Sequence, residues 1–460
     1  MRIRVTLHLL ILALIVGAGL LVRLSIAPYT SGSDIAQFAG FADTFLSKNL
    51  CFFKYSGTES HISENWPYPW PYPYGPILVI LLSIPRMIAP TPVIHYWDAG
   101  TYYVYVPTDW IIASKSVFIL FDTLSALTIY FIVKPFSTRK SLLSVGFYYL
   151  NPVTIYVSSI YGMFDAVAFF PLAVSILLLL RQGSESLRYT VLVSFLAGFS
   201  VAVKPNVVFP ALITAMYACK PLLKEAKRVV TGVLSFTTGV LITYLPFEIS
   251  CPGSLLTHYS VLKNISAPGY TPPLCYSFNG FSSLATYMNS KTRGDFTWVT
   301  ANWWVPALLL FTFLFLKLLR ERFDIVFALE NFYLSYLIFL TTYWRVNYQY
   351  FAPLMGFTAM YFVLDRFNVF KRAISIIYST YVMLWFFLFP VSWWGHVHIM
   401  NPNYEVIGLL DSISLMVFAE ENYLMYSILL TFLGYIALTV LLLPAREPCN
   451  GQLSRDPQHP

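Results

Sequence analysis

The amino-acid sequence predicts a polytopic α-helical membrane protein, and three observations carry that prediction. The 460 residues are 57% hydrophobic and only 11% charged, with a mean hydropathy of +0.64. A soluble chain of this length has too little interior to hide that much apolar surface. Apolar runs of about 15 to 22 residues recur, long enough or nearly so to cross a hydrocarbon core of roughly 30 Å. Basic residues gather in the short gaps between those runs. Barrel strands are excluded, because they would be about ten residues long and would alternate between apolar and polar positions.

The basic gaps set the path of the chain. They hold Arg2 and Arg4; Lys134, Arg139 and Lys140; Arg181 and Arg188; Lys220, Lys224, Lys227 and Arg228; Lys317, Arg320 and Arg322; Arg366, Lys371 and Arg372; and Arg446 and Arg455, most of the 29 Lys and Arg. The positive-inside rule places these gaps in the cytoplasm. Spans are then predicted near 6–28, 112–133, 141–159, 165–180, 189–203, 207–219, 229–247, 303–319, 325–343, 348–364, 373–394 and 423–443, about twelve with both termini inside. The N-terminal run resembles a signal peptide in charge, but Arg23 and the continuing apolar character read as a retained anchor. The tail Pro444–Pro460 reads as disordered.

Two stretches depart from simple crossings. Ile77–Ile88 is short and bounded by Pro76, Pro85 and Pro90, which predicts a re-entrant or interfacial helix on the outer face. At Lys204-Pro205-Asn206, Pro205 ends a helix and leaves Lys204 near membrane depth. The outer face then carries three long segments, 29–111, 249–302 and 395–422. Cys251 and Cys275 share the second, where a disulfide and two free thiols are both open. Asn264-Ile265-Ser266 in the same segment fits a glycosylation acceptor, a triplet common by chance.

Several charged residues stand where charge is costly. Asp34 follows the first span in Ser31-Gly32-Ser33-Asp34. It reads both as an N-cap of an amphipathic helix over 35–47, with Ile35, Phe38, Phe41, Ala42 and Phe45 on one face, and as a general base at the lipid–water boundary. Asp122 falls inside a predicted span, and Asp165 in Tyr161-Gly162-Met163-Phe164-Asp165 opens another. Either carboxylate could line a polar interior or simply complement a dipole or a cation. Lys204 and Arg345 are cations near the outer half of the membrane, suited to a lipid phosphate or to pairing with Asp122 or Asp165. Around Arg345, Asn347 and Gln349 could hydrogen-bond a sugar, with Tyr and Trp rings to stack on it.

Other chemistries find little support. His396 and His398 are spaced as two ligands on a strand, but no third ligand accompanies them, so no metal is expected. No nucleotide-binding motif or nucleic-acid-binding stripe occurs, and no nucleic-acid partner or cofactor is expected. A transporter or lipid flippase would also explain Asp122 and Lys204, yet the halves 1–220 and 221–444 show no repeat. A non-catalytic assembly subunit would need no outer pocket joining Asp34 to Lys204.

The ordered motifs resemble the GT-C superfamily of membrane glycosyltransferases, and within it the dolichyl-phosphate-mannose-dependent mannosyltransferases such as glycosylphosphatidylinositol mannosyltransferase I. The motifs are Asp34 to Asp43 after the first span, then Tyr74-Gly75-Pro76-Ile77-Leu78. Lys115-Ser116-Val117-Phe118 leading to Asp122 follows, then Leu150-Asn151-Pro152 with Ser158-Ser159 and Gly162 to Asp165. Lys204-Pro205 and Gln349-Tyr350-Phe351 complete the series, which keeps its order over about 1–220 and returns weakly near 345–353. One departure is clear: Gly32 stands where many of these enzymes carry the first carboxylate of Asp-x-Asp, so a single base remains.

The resemblance implies a catalytic transmembrane module at 1–220, a variable module at 221–444 and a cytoplasmic tail at 445–460. It implies an inverting transfer of mannose or another hexose from a polyprenyl-phosphate donor to a lipid- or glycan-linked acceptor. In that reading Asp34 is the base, and Lys204 and Arg345 hold the donor phosphate. Asp122, Asp165, Asn347, Gln349 and Tyr74 bind sugar or acceptor, and the aromatic stretch Trp66–Tyr74 covers the cleft. The implied location is the cell membrane, or the endoplasmic reticulum in a eukaryote.

Overall fold

A chain this apolar satisfies its backbone by coiling it, and helices dominate. The structure, a computed structural model, describes residues 2–57, 66–182, 186–219, 226–265, 279–292, 294–320, 324–361, 368–388, 390–394 and 397–443. The N-terminal half runs α1 (Arg2–Ile26), α2 (Ser33–Lys48), α3 (Pro76–Ile88), the hairpin β1 (Ile94–Asp98) and β2 (Thr101–Val106), α4 (Thr108–Val133), α5 (Thr138–Tyr149) and α6 (Pro152–Ile155). A π-helical turn, Tyr156–Tyr161, leads to α7 (Asp165–Gln182), α8 (Leu187–Val203), α9 (Val208–Cys219), α10 (Ala226–Leu241), α11 (Leu245–Ser250) and α12 (Ser254–Ile265). The second half comprises α13 (Gly280–Lys291), α14 (Thr297–Ala301), α15 (Trp304–Arg320), α16 (Ile325–Thr342), α17 (Phe351–Tyr361), α18 (Val369–Met383) and α19 (Trp385–Leu388). It closes with β3 (Val397–Ile399), α20 (Tyr404–Asp411), α21 (Ser414–Val417) and α22 (Glu420–Leu442).

The fold is therefore that of an all-α polytopic membrane protein, with one small sheet. Among the described residues three helices are long and apolar enough to cross a membrane, at Leu7–Tyr29, Thr108–Val133 and Glu421–Leu442. The other predicted spans match shorter helices, several interrupted by proline. The span expected over 141–159 breaks at Asn151-Pro152, where the Asn151 side chain accepts from the Val153 N–H at 2.9 Å and starts a new helix. The one over 229–247 stops at Leu241 before Pro246, and the one over 373–394 divides into α18, α19 and a 3₁₀ turn. The helices still present large apolar side chains outward, Leu14 and Leu21 on α1 and Leu308 and Leu309 on α15 among them. Lipid, not water, suits that surface.

Helix α3 spans 13 residues, about 20 Å at 1.5 Å per residue, short of the hydrocarbon core. Leu78, Val79 and Leu82 are buried, whereas Ile84, Met87 and Ile88 face outward. A bidentate pair ties it to α2: Arg86 Nε meets Asp43 Oδ1 at 2.7 Å and Arg86 Nη2 meets Asp43 Oδ2 at 2.8 Å.

The first long loop meets each of the other two. Cys51 of the first is bonded to Cys251 of the second, across 200 residues of sequence. This corrects the expectation for Cys251, whose partner is not Cys275; Cys275 lies outside the described residues. The first and third loops join through the sheet, where β2 pairs antiparallel with β1 and parallel with β3. The hairpin turn carries Ala99 at φ 46° and Gly100 at φ 81°, the two positive values that a tight two-residue turn requires. A covalent link and a strand pairing thus join the first loop to each of the other two. A disulfide belongs in an oxidising compartment, which suits the outer face.

Removing the crosslink has a defined cost. Cys51→Ser is expected to lower stability by about 2–4 kcal/mol, read as a fall in the melting temperature in detergent. A Cys51–Cys251 peptide should appear in a non-reducing digest. A melting temperature equal to wild type with no such peptide would contradict the pairing.

Candidate functional site

Asp34 enters the site because of where α2 begins. The helix starts at Ser33, with Gly32 as its N-cap and no side-chain capping bond. Asp34 is thus not the N-cap that its position suggested. It sits in the first turn, half-buried, and its carboxylate turns to two tyrosines. Tyr161 Oη donates to Oδ2 at 2.7 Å and Tyr74 Oη donates to Oδ1 at 3.3 Å. Burial pushes the carboxyl above its ordinary value of 3.8, opposed in part by the Tyr161 hydrogen bond and the charge of Lys204, then by Tyr74 and Arg345. Burial and the Asp34 charge also hold the Tyr74 phenol well above its ordinary range, so it stays a donor.

The first ten residues of α2 are buried on almost every side, not on one face as the amphipathic pattern implied. The aromatic strap Trp66–Tyr74 covers the rest. Trp66 Nε1 bonds Thr44 Oγ1 at 2.8 Å, and the rings of Trp66 and Tyr72 lie edge-on to Phe41 at 4.8 and 5.0 Å. Gln37 holds the strap from below, donating to Trp70 O and accepting from Tyr68 N. Tyr74 is the last ring of this strap, edge-on to Phe164 at 4.9 Å.

Gly32 and Gly162 allow the close approach of the segments around Asp34. The Gly32 N–H donates to Tyr161 O at 3.0 Å. A Cβ at residue 32 would lie 2.6 Å from the Tyr161 ring. Gly162 ends the π turn at φ 88°, and a Cβ there would lie 2.5 Å from Ile35. The position that lacks a carboxylate is the one against which the tyrosine packs.

Beside this pair lies an ion pair. Lys204 stands between α8 and α9 at the break that Pro205 imposes. Its Nζ meets Asp165 Oδ2 at 2.6 Å, while Asn206 Nδ2 donates to Asp165 Oδ1 at 3.0 Å. Lys204 also lies over the rings of Phe164 and Tyr350, at 4.6 and 5.1 Å. The segment after α16 packs here too: Tyr336 Oη donates to Tyr350 O at 2.6 Å, and the Tyr348 ring is edge-on to Tyr161 at 4.9 Å. That brings Arg345 close enough to act on Asp34. Gln349 is buried in the same segment, and Asn347 Oδ1 and Asn206 Oδ1 are buried without a hydrogen-bond partner among the described residues. Such orphaned acceptors are costly unless something meets them.

Asp122 is elsewhere. Arg23 of α1 pairs with it, Nη2 to Oδ2 at 3.2 Å, and Tyr148 donates to Oδ1 at 2.9 Å. Arg23 further donates to Tyr149 O at 2.6 Å and to Thr154 Oγ1 at 3.1 Å, and stacks over the Tyr149 ring at 4.0 Å. The cluster fastens α1 to α4, α5 and α6, and its carboxylate is fully used within it. The structure gives Asp122 a role in assembly and no contact with the Asp34 group.

Of the expected residues, then, Asp34, Tyr74, Asp165, Lys204 and the 345–350 segment come together, and Asp122 does not. Tyr161 was missed. The run Tyr161-Gly162 before Phe164-Asp165 was the available signal, since a glycine that ends a helical turn re-aims the side chain before it. His398 lies on β3 against Tyr105 at 5.1 Å; His396 lies outside the described residues. Among the described residues no group of three or more His, Cys, Asp or Glu could hold a metal.

No protein-family model matches the chain, and no curated protein matches it. Among solved structures it is similar to ArnT from Cupriavidus metallidurans, both bound to undecaprenyl phosphate (12% identity) and in the apo state (13% identity). Each comparison covers 94% of this chain and 76% of that one, with a TM-score of 0.48.

Gly32→Ala is expected to push the Tyr161 ring away from Asp34 at a cost of about 1–3 kcal/mol, measured by thermal denaturation. An unchanged melting temperature would show that the ring has room to spare.

Proposed function

We propose that the protein is a GT-C-type membrane glycosyltransferase that uses a polyprenyl-phosphate sugar at the outer face. The observation that carries the reading is the half-open Asp34 carboxylate, held by Tyr161 and Tyr74 with Lys204, Asp165 and Arg345 alongside. A carboxyl raised by burial is a stronger base than a solvated one, and Asp34 is only partly buried, so an acceptor hydroxyl would be met there. The acceptor oxygen would attack the anomeric carbon as Asp34 takes its proton. The bond from that carbon to the phosphate oxygen breaks, and polyprenyl phosphate leaves with inversion of configuration.

Charge decides the roles of the cations. Lys204 is paired with Asp165 and Arg345 acts on Asp34, so both cations stand beside the carboxylates where an incoming phosphate would be met. As the leaving phosphate gains negative charge, both cations stabilise it without reorganisation. Asp165 and Asn206 orient Lys204, while Asn347 and Gln349 offer polar groups to the sugar. Mannose carried on dolichyl phosphate is the donor the sequence motifs favour, with a lipid- or glycan-linked acceptor.

In liposomes containing the protein and a polyprenyl-phosphate hexose, product should form with wild type and fall by at least a hundredfold, on the order of general-base catalysis, with Asp34→Asn. Full transfer by that variant would remove Asp34 as the base, and donor translocation without product would favour a flippase. The pH dependence has a fixed sign. Activity needs the ionised carboxylate, so it falls with acid through an apparent pKa above the ordinary 3.8. Tyr161→Phe removes a bond that favours ionisation, and the acid limb should move to higher pH. A limb that stays in place would show that Tyr161 does not act on Asp34.

A further inference from the structure

One buried charge is unused by the reading above. Lys115 of α4 is fully buried, and its Nζ is surrounded by oxygen atoms from two separate segments. From the turn after α1 come the carbonyls of Ala27 at 3.1 Å and Thr30 at 2.6 Å, with the Thr30 hydroxyl at 3.0 Å. From the π turn come the carbonyls of Ser159 at 2.7 Å and Ile160 at 2.8 Å. No carboxylate is among these five contacts. An ammonium without a counter-ion is expensive to bury, so these partial charges must substitute for one.

The identity of the two segments gives the charge its meaning. Thr30 lies four residues before Asp34, and Ile160 immediately precedes Tyr161. The two are also joined directly, Thr30 Oγ1 to Ser159 O at 3.3 Å and Gly32 N to Tyr161 O at 3.0 Å. Lys115 Cε stands 3.1 Å from where a Cβ of Gly162 would be. Carbonyls aimed at one point repel one another, and a cation at that point reverses the repulsion. Without it, the segment that leads into Asp34 and the turn that ends in Tyr161 would separate.

We infer that Lys115 is a positioning residue for the transfer reaction: its ammonium clamps the Thr30 and Ser159–Ile160 backbones and so fixes the Tyr161 hydroxyl against the Asp34 carboxylate. The inference rests on Asp34 as the base, and it assigns Lys115 no contact with substrate. A methionine would fill the same space but leave the carbonyls without a cation. Thr30→Val is the milder perturbation, since it keeps the ammonium and the carbonyls and removes the hydroxyl with its bonds to Ser159 O and Ile26 O.

The test measures the Asp34 titration directly, without relying on activity. The purified full-length protein in detergent is labelled with a water-soluble carbodiimide across pH, and Asp34 modification is followed by mass spectrometry. Lys115→Met and Thr30→Val are expected to move the labelling midpoint toward higher pH, in the direction of Tyr161→Phe, with a smaller additional shift in the Tyr161→Phe background. Transfer should fall about tenfold to a hundredfold for Lys115→Met, the scale of a misplaced catalytic group. A midpoint unchanged in both variants, with only the melting temperature lowered, would overturn the inference and leave Lys115 a purely structural knot. If Lys115→Met does not fold, Thr30→Val decides by the same midpoint. Loss of the reading itself is separable: Asp34→Asn would then retain transfer whatever the midpoints do.

Discussion

The site depends on one hydrogen bond, from the Tyr161 hydroxyl to the Asp34 carboxylate. A carboxylate drawn out of water costs free energy unless donors replace the water. Tyr161 is that donor at 2.7 Å, and the surrounding backbone is arranged to deliver it. Gly32 leaves space for the ring, Gly162 turns the chain away after it, and the π turn from Tyr156 to Tyr161 sets its rotation. π-helical turns are strained relative to the α-helix and persist where something gains from the altered aim of a side chain. Here the altered aim sets a phenol against a half-buried carboxylate.

The same economy of charge recurs through the molecule. Arg23 with Asp122, Lys204 with Asp165, and Lys371 with Glu330 at 2.7 Å are each buried pairs between different elements, the first across 99 residues of sequence. In a lipid environment such pairs have no water to fall back on, so they fix which helices can be neighbours. They also separate assembly from chemistry. Asp122 has both oxygens committed to Arg23 and Tyr148, whereas among the described residues Asp34 accepts its side-chain hydrogen bonds from two phenols, with the charges of Lys204 and Arg345 acting on it.

How much of this was legible in the sequence follows from the range of each interaction. The helical class and the order of the helices were readable, because apolar runs are local signals. Asp34 and Lys204 were readable because a charge beside a membrane span is rare. Asp122 drew attention for the same reason, but its partner Arg23 stands 99 positions away and no local pattern reveals it. Cys51 and Cys251, 200 apart, are hidden equally well. Tyr161 is one of 33 tyrosines. Lys115 is held by backbone carbonyls, which every residue carries, so its environment leaves no trace in residue type. The hairpin over 94–106 was the avoidable omission, since Thr101-Tyr102-Tyr103-Val104-Tyr105-Val106 is rich in strand-forming residues after an Ala-Gly turn.

The central claim is that Asp34, Tyr161, Lys204 and Arg345 surround one substrate. The most direct measurement is an electron cryomicroscopy structure of the protein in nanodiscs with a non-hydrolysable polyprenyl-phosphate sugar. The account predicts the phosphate against Lys204 and Arg345, with the anomeric carbon facing the open side of Asp34 and the Tyr161 bond intact. A phosphate bound elsewhere on the protein, with Asp34 sealed from it by the aromatic strap, would contradict the account.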